Sequence, residues 1–215
     1  MCNSLVLKND YLNSRYYIDD KGIIYNETLT KLIMYPTYLD DKNFILPASV
    51  LEIDELAFAN SKIETIDLNN VEVIGSQAFY KSSIKNIVLS EKVKKVNYGA
   101  FANTILDYVE WNTMYNIIPY RCFQNSLIGT FVLPSHIEMI ESEAFISASI
   151  NEFIFENDSN LKFIHDYAFM TFSTSKLELP ISLNYIGVGA FANSNISELV
   201  IPYNNYIHTI GSNAF

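Results

Sequence analysis

The chain of 215 residues predicts a mainly-β solenoid of about eight coils of about 22 residues each, and three observations carry that prediction. The first is a beat. Ala57-Phe58, Ala78-Phe79, Ala100-Phe101, Ala144-Phe145, Ala168-Phe169, Ala190-Phe191 and Ala214-Phe215, with Cys122-Phe123 in the one slot that lacks alanine, space the phenylalanines by 21, 22, 22, 22, 24, 22 and 24 residues. A period of this size marks stacked units that bury their apolar faces only against one another. The second is an apolar set downstream of each Phe, such as Ile84, Ile87 and Leu89 or Ile128, Phe131 and Leu133, which reads Leu-x-x-Leu-x-Leu. The third is an upstream pair three residues apart, from Val50/Ile53 and Val71/Ile74 through to Leu183/Ile186 and Ile207/Ile210, which no copy breaks.

Each element follows from residue chemistry. Tyr16-Tyr17-Ile18 and Gly22-Ile23-Ile24-Tyr25 flank the turn signal Asp19-Asp20-Lys21-Gly22, so a β-hairpin is expected there. Thr30 to Tyr35 supplies a further strand that ends at Pro36. Residues 1–43 are thus read as a hairpin and capping segment, and residues 44–215 as the repeat array. Such a lid keeps the first coil from leaving apolar surface and strand edge open to water. In the array, the alternating end of the downstream set predicts a short parallel strand with one face buried and one wet. The upstream pair predicts a second, opposite run of turns with short strands or helical turns. Pro47, Pro134, Pro180 and Pro202 follow the strands, where a missing N–H ends a ladder cheaply.

Ala leaves room where the backbone turns inward, and Phe fills the coil and stacks on the Phe of the next coil at about 5 Å. Asn60, Asn103, Asn125 and Asn193, followed by small residues such as Ser61, Thr104 and Ser126, predict an inner ladder of polar side chains that bond the turning backbone. One unit departs from the template: Phe172 stands in the small-residue slot and Thr174 in the apolar one, so a register shift or a local distortion is expected.

Composition narrows the function classes. Apolar residues make up 49% and charged ones 18%, which supports a packed core, and the formal charge of −10 with no basic tract opposes nucleic acid as a partner. Cys2 and Cys122 are too few for a disulfide framework, and Cys122 reads as a buried small residue. Met1 to Asp20 shows no apolar core of signal-peptide length, and no run reaches the roughly 20 apolar residues of a membrane span. Asn26, Asn157 and Asn195 begin glycosylation-acceptor tripeptides of the kind an Asn-rich chain produces by chance. His136, His165 and His208 lie in different coils without ligand-spaced neighbours. No phosphate loop or nucleophile elbow is present, so neither a cofactor, a metal site nor a catalytic residue is expected.

The combination of Leu-x-x-Leu-x-Leu-Pro, Val-x-x-Ile and Ile-Gly-x-x-Ala-Phe is whole in Ile74-Gly75-Ser76-Gln77-Ala78-Phe79 and in Ile210-Gly211-Ser212-Asn213-Ala214-Phe215. It resembles the BspA-like leucine-rich repeats over roughly Tyr16 to Phe215. The resemblance implies a leucine-rich-repeat solenoid of the kind found on bacterial and protist surfaces, where some members are adhesins that bind proteins. It implies no catalytic residues. It favours a cell-surface or secreted location, whereas the leading residues favour the cytoplasm.

Function is therefore expected on the wet face of the strand ladder. Its central column reads Asp67, Val88, Glu110, Val132, Ile154, Glu178 and Val200, with Tyr108, Glu152 and Glu198 beside it. Carboxylates mixed with exposed aliphatics fit a protein-binding strip for a basic or mixed-charge partner. The same composition fits a face chosen only for strand propensity and solubility. The readings carried forward are a surface protein-recognition module, an intracellular scaffold, and a carbohydrate-binding or enzymatic role that Tyr108 and Glu110 are too isolated to support. The last coil, which stops at Phe215, is expected to allow end-to-end association.

Overall fold

The computed structural model describes residues 15–203 and 205–215. The expectations about Cys2 and the leading Met1–Ser14 stretch lie outside the described residues. The chain opens with an antiparallel hairpin, β1 (Tyr16–Ile18) and β2 (Ile24–Asn26), followed by β3 (Lys31–Met34) and β4 (Asn43–Ile45). From there a two-residue strand alternates with a longer one. The pairs are β5 (Glu52–Ile53) and β6 (Thr65–Asp67), β7 (Val73–Ile74) and β8 (Asn86–Leu89), β9 (Lys95–Val96) and β10 (Ile105–Trp111), and β11 (Ile117–Ile118) and β12 (Leu127–Leu133). They continue as β13 (Met139–Ile140) and β14 (Ser149–Phe155), β15 (Phe163–Ile164) and β16 (Ser173–Glu178), and β17 (Tyr185–Ile186) and β18 (Asn195–Val200), with β19 (Thr209–Ile210) last. No helix occurs among the described residues, so none is long and apolar enough to cross a membrane.

The longer strands stack in parallel into a wide ladder, β8-β10-β12-β14-β16-β18, preceded by the pair β4-β6. The two-residue strands form a narrow ladder on the other side, in two segments, β1-β2-β3-β5-β7-β9 and β11-β13-β15-β17-β19. The side expected to carry short strands or helical turns thus carries short strands. The narrow ladder divides between β9 and β11, and one of the bonds missing there has a covalent reason. In the coils around it the residue after the strand donates its N–H to the preceding coil, as Gly75 does to Ile53, Asn97 to Ile74 and Glu141 to Ile118, at 2.8–2.9 Å. The equivalent residue of the β11 coil is Pro119, which has no N–H to give.

A third column of bonds runs through the Ala-Phe turn. Phe58 N–H donates to Ala78 O at 2.8 Å, Phe101 to Cys122 at 3.0 Å and Phe145 to Ala168 at 2.8 Å, each to the next coil. Consecutive rings from Phe58 to Phe191 are fully buried and stack at 5.1–5.6 Å with interplanar angles of 18° or less. Tyr35 extends the stack at its front, 5.2 Å from Phe58, and Phe215 ends it, 5.4 Å from Phe191 and half exposed. Burying one such ring is worth roughly 2–3 kcal/mol, so the stack adds a large cohesive term to that of the buried aliphatic residues around it.

The expected inner Asn ladder is not what the asparagines do. Asn60, Asn103, Asn125 and Asn193 all sit at φ of 55–59°, the left-handed region, with their side chains on the outer side of the turn. Lys81, Ser147 and Thr171 hold the same slot at the same φ. Asn recurs there because its short polar side chain makes that backbone state less costly than other non-glycine residues do. A second left-handed slot lies two residues before each Phe, filled by Leu56, Gln77, Gly99, Arg121, Glu143, Tyr167, Gly189 and Asn213. The small residues behave as expected in part: Ser126 Oγ and Thr104 Oγ1 donate to Phe101 O at 2.9 and 2.6 Å, whereas Ser61 and Ser82 are buried without a protein partner.

The hairpin covers the front of the narrow ladder, because β3 is antiparallel to β2 and parallel to β5, with Leu32 opposite Ile53. Asp19 shapes the hairpin turn: its Oδ1 accepts the N–H of Lys21 at 3.0 Å and of Ile23 at 2.8 Å.

Candidate functional site

The wide ladder places the expected strip in register. Val88 lies opposite Glu110, Glu110 opposite Val132 and Val132 opposite Ile154, while Tyr108 lies opposite Thr130 and Thr130 opposite Glu152. Further along, Glu178 lies opposite Val200 and Lys176 opposite Glu198. Asp67 sits apart on β6, opposite Ile45, and its carboxylate caps its own turn by accepting Asn69 N–H at 2.9 Å. Val88, Glu152, Ile154, Glu178 and Glu198 are exposed, and Tyr108, Glu110, Val132 and Val200 are half-buried. From Val88 to Val200 the column is therefore brought together on one surface, with one interruption.

The interruption lies between β14 and β16, where pairing is confined to Ser149 opposite Ser173 although the neighbouring strands pair over five or six residues. The register is kept, so the departure at Phe172 is a local distortion rather than a shift. A change of side-chain volume coincides with it. The slot that holds Ser126 and Ala148 in the two preceding coils holds Phe172, fully buried and edge-on to Phe169 at 5.0 Å. A ring in the place of a methyl or hydroxymethyl group must displace something in a packed stack, and the strand that follows Phe172 is the one that lacks its rungs.

The two strands enclose a cleft of about 620 Å³ on the wet face. Ile154, Phe155, Leu179, Pro180, Ile181 and Pro202 supply its apolar wall, and Glu152, Glu156, Asp158, Glu178 and Lys176 its charges. The link after Phe155, longer by two residues than the corresponding link one coil earlier, carries Asp158 in the left-handed conformation at the rim. A smaller concavity of about 440 Å³, lined by Ser149, Asn151, Ser173, Ser175, Asn195 and Ser197, adjoins it. Lys176 Nζ is 3.6 Å from Glu178 and 3.7 Å from Glu198, both long contacts at exposed side chains. Glu156 accepts Ser135 N–H at 2.9 Å, and Glu152 accepts a long bond from Thr130 at 3.4 Å.

Reading coil by coil places Glu152, Ile154, Glu156, Lys176 and Glu178 on the wet face but does not reach Asp158, Ile181 or the cleft itself. A signal was present in the charge distribution. Residues 1–122 hold twelve Lys/Arg and fifteen Asp/Glu, whereas residues 123–215 hold two lysines and nine carboxylates, a formal charge of −7.

Among the described residues no three His, Cys, Asp or Glu side chains approach closely enough to hold a metal ion. Cys122 is fully buried, and that burial pushes its thiol well above the ordinary range, which makes it a packing group and a poor nucleophile. Asn26 is engaged in the fold, with its Oδ1 accepting Thr30 and Lys31 N–H at 2.9 Å.

Comparison with known proteins agrees with this architecture. A family model for the BspA type leucine rich repeat region matches residues 38–128 and 116–215 in six copies. No curated protein matches the sequence. A solved leucine-rich repeat protein from Eubacterium ventriosum aligns over 89% of this chain and 52% of its own, at 23% identity and a TM-score of 0.74. The pneumococcal vaccine antigen PcpA aligns over 88% of this chain and 50% of its own, at 19% identity and a TM-score of 0.62. The chain spans about half the length of these two structures, and at such identities the likeness is one of fold.

Proposed function

The chain belongs to the BspA-type leucine-rich repeat family, and from that premise we propose that it is a non-enzymatic protein-recognition module that binds a protein partner through the exposed face of its wide ladder. The observation that carries the reading is the continuous column of Val88, Glu110, Val132 and Ile154. It puts aliphatic and acidic groups side by side on a rigid surface, with the mixture that interface cores and rims combine. A surface antigen or adhesin is the setting we favour, because one structural neighbour is a pneumococcal vaccine antigen. An intracellular scaffold would use the same face. Residues 1–43 then serve as the capping segment and residues 44–215 as the array that presents the surface.

The test is a capture experiment with the wild-type array and with Glu110→Lys/Glu152→Lys/Glu178→Lys, partners being quantified by mass spectrometry. Loss of the captured set with an unchanged thermal transition is expected. An identical set from both proteins contradicts the reading.

A further inference from the structure

We infer that the cleft between β14 and β16 is a docking site for an extended protein segment bearing arginine or lysine, an inference that rests on the protein-recognition reading above. Three independent features of the molecule converge there.

The first is shape. Apart from the rung at Ser149 and Ser173 the two strands lack register partners, and the cleft of about 620 Å³ lies within the range of sites that take a bound group. The second is the wall. Ile154 and Ile181 are 38% and 50% exposed, and with Pro180 and Pro202 they offer apolar surface to the methylene stem of a long side chain. The third is charge. Glu152, Glu156, Asp158 and Glu178 face one cation, Lys176, a formal excess of three negative charges in one concavity. Earlier coils treat their carboxylates differently: Glu64 is bridged by Lys42 and Lys85 at 2.9 and 2.7 Å, and Glu72 by Lys94 at 2.7 Å. A cleft with low-dielectric walls and charge of one sign concentrates the opposite ion.

The occupant that matches all three is a cationic side chain with an apolar stem, on a strand-like backbone that alternates it with aliphatic residues. Arginine fits best, since its planar fork donates to two carboxylates at once. Lys176, held only by contacts of 3.6 and 3.7 Å, is then the internal competitor that such a ligand displaces.

The probe is a fluorescein-labelled peptide of four Arg-Val repeats, titrated by fluorescence anisotropy against the whole chain, with a citrulline-for-arginine version as the uncharged control. Each exposed ion pair is worth up to about 1 kcal/mol, so Glu152→Gln/Glu156→Gln/Glu178→Gln should weaken binding about tenfold or more. The same loss of charge at Glu27→Gln/Glu55→Gln/Glu91→Gln should change it less than about twofold, since those sites lie more than a Debye length of roughly 8–10 Å from the bound cation. Lys176→Gln should tighten binding roughly threefold, a gain that misfolding cannot imitate. Amide shift changes should be confined to residues 151–159 and 175–181. Equal effects of the two Gln sets, binding of the citrulline peptide as tight as that of the arginine peptide, weakening by Lys176→Gln, or shifts spread along the ladder would each overturn the site.

The two readings fail separately. If the charge-reversed array loses its partners while the peptide does not distinguish the Gln sets, the ladder face stands and the cleft does not. If the peptide maps to the cleft while partner capture is untouched by charge reversal, the cleft binds a cationic segment but the captured partners are held elsewhere, and the ladder-face reading falls.

Discussion

The front and back halves of the array share one interior and present two different surfaces. Rings from Phe58 to Phe101 and from Phe145 to Phe191 stack with nearly the same spacing, and the turn bonds repeat within a few tenths of an ångström. Outside, the front half ties its coils together with lysines: Lys31 bridges Glu52 and Asp54 at 2.9 Å, and Lys42 and Lys85 share Glu64. The back half has two lysines for nine carboxylates and parts its wide ladder at β14 and β16. The repeat template governs what is buried and leaves the surface free to vary coil by coil, which is how a solenoid separates stability from recognition.

The largest effect that tests this separation is Phe145→Ala. Its ring is fully buried between Phe123 and Phe169 and edge-on to Phe131 and Phe153, so removing it should cost about 3–5 kcal/mol in urea unfolding. Phe215→Ala, at the half-exposed end of the same stack, should cost less than about 1.5 kcal/mol. Equal losses would mean that position in the stack does not matter.

Phe172→Ser combined with Thr174→Ile restores the template in the one coil that departs from it. If ring volume parts the strands, the amides of β16 should exchange roughly fivefold to thirtyfold more slowly, the equivalent of one or two recovered hydrogen bonds of about 1 kcal/mol each. Unchanged exchange would assign the parting to the longer link after Phe155.

Cys122→Ala places the residue of the other coils in the variant slot and should change stability by less than about 1.5 kcal/mol. The native thiol, fully buried and with its ionisation disfavoured by that burial, should react with a thiol reagent only as fast as the chain opens. Rapid labelling of the folded protein would show that the coil is not closed there.

The smallest effect concerns the bridged surface of the front half. Hydrogen bonds from the Lys42 and Lys85 ammonium groups hold the Glu64 carboxylate below its ordinary 4.5, at about 2. A carboxylate lowered in the folded state stabilises it above the unfolded value and loses that contribution as pH falls through the folded value. The difference in Tm between wild type and Glu64→Gln should therefore be full above pH 4.5 and fade towards pH 2. A difference that is constant across this window would show that the bridges are not formed in solution.

Much of the molecule was legible because burial repeats. The Phe stack, the Leu-x-x-Leu-x-Leu strands, the Val-x-x-Ile pairs and the front hairpin each depend on residue type at a fixed spacing, and the structure places them as that spacing predicts. The Asn slot was misread because two causes, an inward polar ladder and a left-handed backbone, favour the same residue. Only the φ values separate them, and Lys81 and Thr171 at the same φ show which one operates. Pro119 was readable in principle as a missing donor, but only once its neighbours in adjacent coils were known to donate.

The sequence by itself determined the coil period, the interior and the column of Val88, Glu110, Val132 and Ile154, since side chains two residues apart on a strand share a face and coils of equal length share a register. The tertiary structure alone decided that this column is cut between Ile154 and Glu178, and that Glu152, Glu156, Asp158 and Glu178 meet in one cleft. Residues some twenty positions apart become neighbours only when two coils stack. The gap between those coils lies where a buried ring, Phe172, and a longer link after Phe155 must be accommodated against a neighbouring coil, which a template read along a single coil does not contain.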